Sequence, residues 1–315
     1  MLRKFKINKI FILRYLSFAL LTVTFFLTAN QEVWADDISG TIEAGAATID
    51  GSDTFIIDST NEGGAGSNLT FSGANARQLT VSSDGTDGDD IGNLGTINVA
   101  DNNDTSTLII NDASNGDGLV VIVNGNVTGD VATAANDLDI TVAANSTNDA
   151  GDTTLEFKGN LDIGAGEIVL TGDVDDTSIL KFSGAGNQAV TGAILSTTND
   201  VGSKIIIANG ANTVTFSTAI GASSGNGVES LVVEAGTRGN ATFSSTVNAN
   251  TVDIDADAGA SVMDFNGNVE GGTWNIETGG GGDTVAANFS GNVTLTALNI
   301  DKETAEATVT FDGSS

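Results

Sequence analysis

The sequence has 315 residues, with 40 Gly, 14 Phe, no Cys, no His and no Pro, and a formal net charge of −30. Without Cys there are no disulfides, no thiol catalysis and no Cys-ligated zinc, and without His the commonest general base and metal ligand is absent. The acidic excess repels nucleic acid and anionic lipid headgroups and argues against them as partners.

Residues 1–35 read as a cleaved secretory signal peptide. Met1 to Arg14 carries five basic residues, Tyr15 to Ala29 is an apolar run, and Val33-Trp34-Ala35 ends in a small residue. The run is short for a membrane-spanning helix. Cleavage before Asp36 leaves a mature chain, 36–315, with 6 basic and 40 acidic residues.

From Asp36 onward the pattern is strand, turn, strand, with no convincing helix. Gln78–Val81, Gly95–Val99, Thr107–Ile110, Leu119–Val123, Leu138–Val142, Glu167–Leu170, Lys204–Ile207 and Leu231–Val233 are short runs of Val, Ile, Leu and Thr. Each is bounded by Gly, Asn or Asp, the signature of strands separated by turns.

One short unit recurs. Its clearest copies are Met263-Asp264-Phe265-Asn266-Gly267-Asn268-Val269 and Ala287-Asn288-Phe289-Ser290-Gly291-Asn292-Val293. Phe71, Phe157, Phe182, Phe216, Phe243 and Phe311 fit or nearly fit it, each with an apolar residue two places earlier. Gly follows two places after Phe, except at Thr218 and Ser245, and an aliphatic residue often stands four places after. Val123 replaces the aromatic in one copy, Val99 with Ile97 in another, and only Phe55 stands outside the pattern. A second strand brings Val252 and Ile254, Trp274 and Ile276, and Leu298 and Ile300 to odd offsets, so a turn must reset which side faces inward.

A unit of this length cannot bury its own apolar face, but stacking it on copies of itself can. The expected fold is therefore all-β: a parallel β-helix (β-solenoid) of about 11 coils, roughly 50 Å long, with the Phe side chains forming one interior ladder. The steps between successive Phe residues from Phe157 onward are uneven. The longest, Phe182 to Phe216, is expected to project a loop. In this frame Phe is core, Gly is corner geometry and Asn tolerates the turn.

Acidic clusters supply the candidate chemistry. Asp84, Asp87, Asp89 and Asp90 in a Gly-rich loop are the Ca²⁺ candidates, since Ca²⁺ needs several oxygen ligands. Asp253, Asp255 and Asp257 half-match a calcium loop but alternate along a strand with the acids outward. Asp173, Asp175 and Asp176 read as a loop, and Gly279 to Gly282 with Asp283 as a flexible one. The pairs Asp89–Asp90 and Asp175–Asp176 could in principle serve a polysaccharide-degrading β-helix enzyme, but adjacent strand residues point to opposite faces. No catalytic residue and no cofactor is assigned. The Asn-x-Ser/Thr triplets, such as Asn68 and Asn126, read as by-products of an Asn/Thr-rich repeat.

A signal followed by Gly/Asn/Thr/Asp-rich β-coils with Phe182-Ser-Gly, Phe265-Asn-Gly-Asn-Val and Phe289-Ser-Gly-Asn-Val corners resembles the passenger region of bacterial autotransporters. The likeness is to the large, repeat-rich surface antigens and adhesins of that class, and it covers residues 36–315. It implies export to the bacterial cell surface or the medium, through an outer-membrane translocator barrel at the C-terminus of the full protein. This sequence has no such barrel, so the expectation is a segment of a longer chain. The implied role is a non-catalytic structural or adhesive stalk whose partners are glycans or proteins on host or neighbouring cells. A surface-layer or matrix protein assembling through cation bridges is the alternative, and a polysaccharide-degrading β-helix enzyme the third.

Overall fold

The computed structural model describes residues 46–49, 52–57, 67–72, 77–83, 90–100, 105–112, 118–129, 137–144, 151–197, 201–221, 227–233, 238–256, 259–278, 283–302 and 305–313. Residues 1–35, read above as a signal peptide, lie outside them. The described residues form twenty-four strands, numbered β1–β24 in chain order, with every pairing parallel. The expectation of an all-β parallel solenoid is met.

The first sheet runs β1 (Ala46–Ile49), β3 (Asn68–Ser72), β6 (Ile97–Ala100), β9 (Val127–Thr128), β12 (Leu161–Thr171), β14 (Gln188–Ser196), β16 (Thr213–Phe216), β18 (Asn240–Phe243), β20 (Ser261–Phe265), β22 (Val285–Phe289) and β24 (Ala307–Phe311). The second runs β5 (Asp90–Leu94), β8 (Leu119–Val123), β11 (Thr153–Phe157), β13 (Ser178–Phe182), β15 (Ser203–Ile207), β17 (Val228–Val233), β19 (Val247–Ala256), β21 (Val269–Thr278) and β23 (Val293–Lys302). A third face stacks β2 (Ser52–Ile57), β4 (Gln78–Ser83), β7 (Ser106–Asn111) and β10 (Leu138–Ala143) onto the second half of β12. The strands thus differ in number from face to face, and the expected count of about eleven coils is not met.

Side chains alternate in and out of each strand, as in the buried–intermediate pattern of β7 and β10, so each face contributes one or two columns to the interior. On the first face one column reads Leu69, Ile97, Val127, Leu161, Val190, Phe216, Phe243, Phe265, Phe289, Phe311. On the second it reads Leu94, Val123, Phe157, Phe182, Ile207. On the third it reads Leu79, Leu108, Ile140, Ile168, Ile194, Ile220, Val247, Val269, Val293. Phe55, outside the repeat pattern, is fully buried beside Val81 on that third face.

The expected single Phe ladder is in fact two. Phe157 and Phe182 stack at 6.0 Å on the second face, and Phe216 to Phe311 stack on the first at 4.8–5.2 Å with rings within 15° of parallel. The two ladders meet where Phe182 and Phe216 touch edge to face, at 5.2 Å and 89°. The long step between them is a change of face and not a long coil. Phe182 pairs with Ile207 on its own face, and Phe216 follows on the next face. The step from Val123 to its partner Phe157, by contrast, is a true long coil.

The same short motif thus makes two different corners. After Phe157 it turns the chain from the second face to Leu161 on the first, and after Phe265 from the first face to Val269 on the third. What the corners share is close stacking. A Cβ added at Gly159 would collide with the Gly125 carbonyl, and one at Gly291 with the Gly267 carbonyl. Asn does more than tolerate the turn. Asn126 Oδ1 accepts from the Asn160 N–H at 2.9 Å, and Asn160 Oδ1 from the Ala189 N–H at 2.9 Å. Asn240 Oδ1 accepts from the Val262 N–H at 2.9 Å, and Asn268 Oδ1 from the Asn292 N–H at 3.2 Å. Each side chain accepts from a backbone amide one coil on, at the corner residues Asn160 and Asn292 and near the starts of β14 and β20 at Ala189 and Val262.

Trp274 occupies an inward slot, fully buried against Phe265 at 5.1 Å and Phe289 at 5.8 Å. The odd offset of β19, β21 and β23 is resolved by a bend within each strand. In β19, Val247 and Ala249 are buried, Asn250 is exposed, and Val252 is buried again.

Candidate functional site

The inward columns are mainly apolar, with Gln188 and the Thr153–Ser178–Ser203 row among the buried polar members, so the groups open to solvent lie at outward positions and corners. On the first face, Thr128, Asp162 and Thr191 share one outward row, and Thr215, Thr242, Asp264, Asn288 and Thr310 another. Neighbours within these rows bond to each other: Asn288 Nδ2 donates to Asp264 Oδ1 at 2.7 Å, and the Thr191 hydroxyl to Asp162 Oδ1 at 2.5 Å.

Two shallow grooves interrupt this face. One, about 240 Å³, is bounded by Asn126, Asn160, Asp162 and Thr191, where Ala189 leaves a notch. The other, about 260 Å³, is bounded by Thr213, Arg238, Asn240, Thr242 and Asp264. Each holds one carboxylate, whereas two-carboxylate glycoside chemistry needs a facing pair. Hydroxyl, amide and single-carboxylate groups in rows at about 4.8 Å spacing suit hydrogen bonding to a polar polymer or to another protein surface. The Nε atom of Arg238 is buried without an acceptor.

The second face carries the acids of β19 outward, as the alternation predicted. Asp253 stands in register with Asn275 and Asn299, and Asp255 with Glu277 and Asp301. Of the Ca²⁺ candidates, Asp84, Asp87 and Asp89 lie outside the described residues, as does Asp257. Asp90 opens β5, and its side chain is likewise outside the described set. Among the described residues no group of three or more acidic side chains is placed to hold a metal ion. The segment Gly279 to Gly282 also lies outside the description.

The turn from β12 to β13 is more than a solvated loop. Asp175 is exposed, but Asp176 is 1% exposed. Asp173 Oδ1 accepts from the N–H groups of Asp175 and Asp176 at 2.9 and 3.1 Å, closing the turn on itself. Asp176 Oδ1 reaches the preceding coil, accepting from the Gly151 N–H at 3.1 Å, while its Oδ2 is buried with no partner. Burial is the main force holding the Asp176 carboxyl above the usual carboxylate range. The Gly151 amide pulls it back, and the charges of Asp173, Asp175 and Asp152 push it further up. As a candidate catalytic pair, Asp175 and Asp176 are divided between solvent and interior. The sequence offered Asp176 as half of a candidate pair but did not mark it as buried, because its burial comes from stacking between coils. The grooves were equally invisible, since each is made by three coils.

No protein-family model, no curated protein and no solved structure matches this chain.

Proposed function

We propose that this chain is an exported structural or adhesive stalk: a non-catalytic β-helix passenger segment of an autotransporter-like bacterial surface protein. One observation carries the reading. Coil length varies, from the short Phe243-to-Phe265 coil to the long Val123-to-Phe157 coil, while the inward columns stay in register. The ladders keep their register despite the difference in coil length, so the interior specifies stacking while the sequence between ladder strands is free to diversify. Thr, Asn and Asp rows along the first face supply hydrogen-bonding groups for glycans or proteins on a host or neighbouring cell. The basic and then apolar character of residues 1–35 supports export.

Two measurements test the reading. Residues 1–35 fused to a reporter enzyme without its own signal should deliver it out of the cytoplasm. Beads coated with the protein should adhere to cells more than beads coated with an unrelated acidic protein. Cytoplasmic retention refutes the export half, and adhesion equal to the control refutes the adhesive half.

A second reading, a surface-layer or matrix protein joined by cation bridges, is favoured by the register of Asp255, Glu277 and Asp301 on successive coils.

A further inference from the structure

We propose that Asp176 is a proton-controlled latch that fastens the corner between the third and second faces to the coil stacked behind it. The latch stands on the geometry of one crowded corner and is independent of the surface role proposed above. Three coils meet there. Behind the turn, the Gly151 N–H is held by Asp176 Oδ1 at 3.1 Å, and the Thr177 N–H reciprocates to Asp152 Oδ1 at 3.0 Å. Ahead of it, the Ser178 N–H reaches the Gly202 carbonyl at 2.8 Å. Gly172 sits so close to that carbonyl that no side chain fits between them. Within the turn, the Asp173 N–H bonds the Asp176 carbonyl at 2.9 Å. Asp176 is closed off from solvent on all sides, and its Oδ2 meets no donor.

The groups around this carboxylate are mostly of its own sign. Asp173 and Asp175 face it from its own turn and Asp152 from the preceding coil. On the next coil, Lys204 follows Ser203, the strand partner of Ser178, and one coil further on Glu229 accepts the Gly202 N–H at 2.6 Å. Asp149 and Asp200 belong to flanking segments outside the described residues. An ionised Asp176 is therefore a desolvated charge among like charges, and a proton removes both penalties.

The sign follows from linkage. The folded state holds the Asp176 proton more tightly than the unfolded chain does. Its contribution is thus favourable at low pH and is lost as pH rises through the folded-state titration. The corner as a whole should be more stable below the folded-state titration of Asp176 than above it, although the Gly151 bond itself favours the carboxylate.

The test compares the purified protein with its Asp176→Asn variant by thermal unfolding from pH 4 to pH 8. Amide hydrogen exchange at Gly151 and Thr177 is read alongside, as protection factors. At pH 8 the variant should melt higher by about 2–4 °C and protect both amides more. At pH 4 that advantage should vanish. Asp175→Asn, at an exposed site, should move the midpoint of the wild-type pH response to lower pH without removing it. A constant difference between Asp176→Asn and wild type across the range overturns the latch. So does a wild-type protein that Ca²⁺ stabilises at pH 8 while Asp176→Asn does not respond, since a metal and not a proton would then neutralise the group.

Discussion

Replacing Phe265 by Ala should cost about 3–5 kcal/mol, among the largest losses any single side chain here can cause. Phe265 is 1% exposed. Its ring lies 4.8 Å from Phe243, 5.0 Å from Phe289 and 5.1 Å from Trp274. Truncation removes on the order of 150 Å² of apolar surface from the interior, about 4 kcal/mol of transfer free energy at about 25 cal/mol per Å². Three aromatic contacts are lost with it. The cavity cannot collapse, because the coils above and below are held apart by their backbone ladders. Phe311 is the internal control. It ends the same column, is 58% exposed and touches one ring, Phe289, at 5.2 Å. Phe311→Ala should cost only about 1–2 kcal/mol. Urea unfolding followed by circular dichroism, with Trp274 fluorescence as a probe beside the ladder, measures both. Equal losses for the two variants would refute the stacked-column account of the core.

Gly184→Ala should destabilise by about 1–3 kcal/mol, because the new Cβ would lie 2.5 Å from the Lys158 carbonyl of the preceding coil. Gly186→Ala, two places on with nothing within 4 Å, should stay within about 0.5 kcal/mol of wild type in the same unfolding assay. If the protein assembles through cation bridges, millimolar Ca²⁺ should raise light scattering and a chelator should reverse it, with Glu277→Gln weakening the effect. Scattering that ignores Ca²⁺ would remove the matrix reading.

The strands and most of the core were legible because period-two alternation is a local property. Leu119–Val123 and Leu138–Val142 emerge within a residue of their expected limits, and Val123 does stand in register with Phe157 in place of an aromatic. Phe71 pairs with Val99, as the Ile97–Val99 copy implied. The single ladder was wrong because a motif marks a corner but not which corner. Phe182 and Phe216 carry the same local pattern, yet the fold places them on different faces. The loop expected between them disappears with the correction, since the chain there simply passes through Ile207 to the next face. Asn160 looked like a turn residue, and only its position one coil from Ala189 makes it a bridge. Asp176 looked like a loop carboxylate, and only the stacking of three coils buries it.

By itself, the sequence determined that this chain must stack. Short repeat units with one apolar side cannot be stable alone, and alternation, Gly at the corners and the absence of Pro leave parallel coils as the simplest solution. The tertiary structure decided which face each repeat occupies, where the two Phe ladders meet, and which polar groups lose their water. Those outcomes depend on contacts between residues a full coil apart, and the register of such contacts is set by the summed length of every turn between them. No local pattern records that sum.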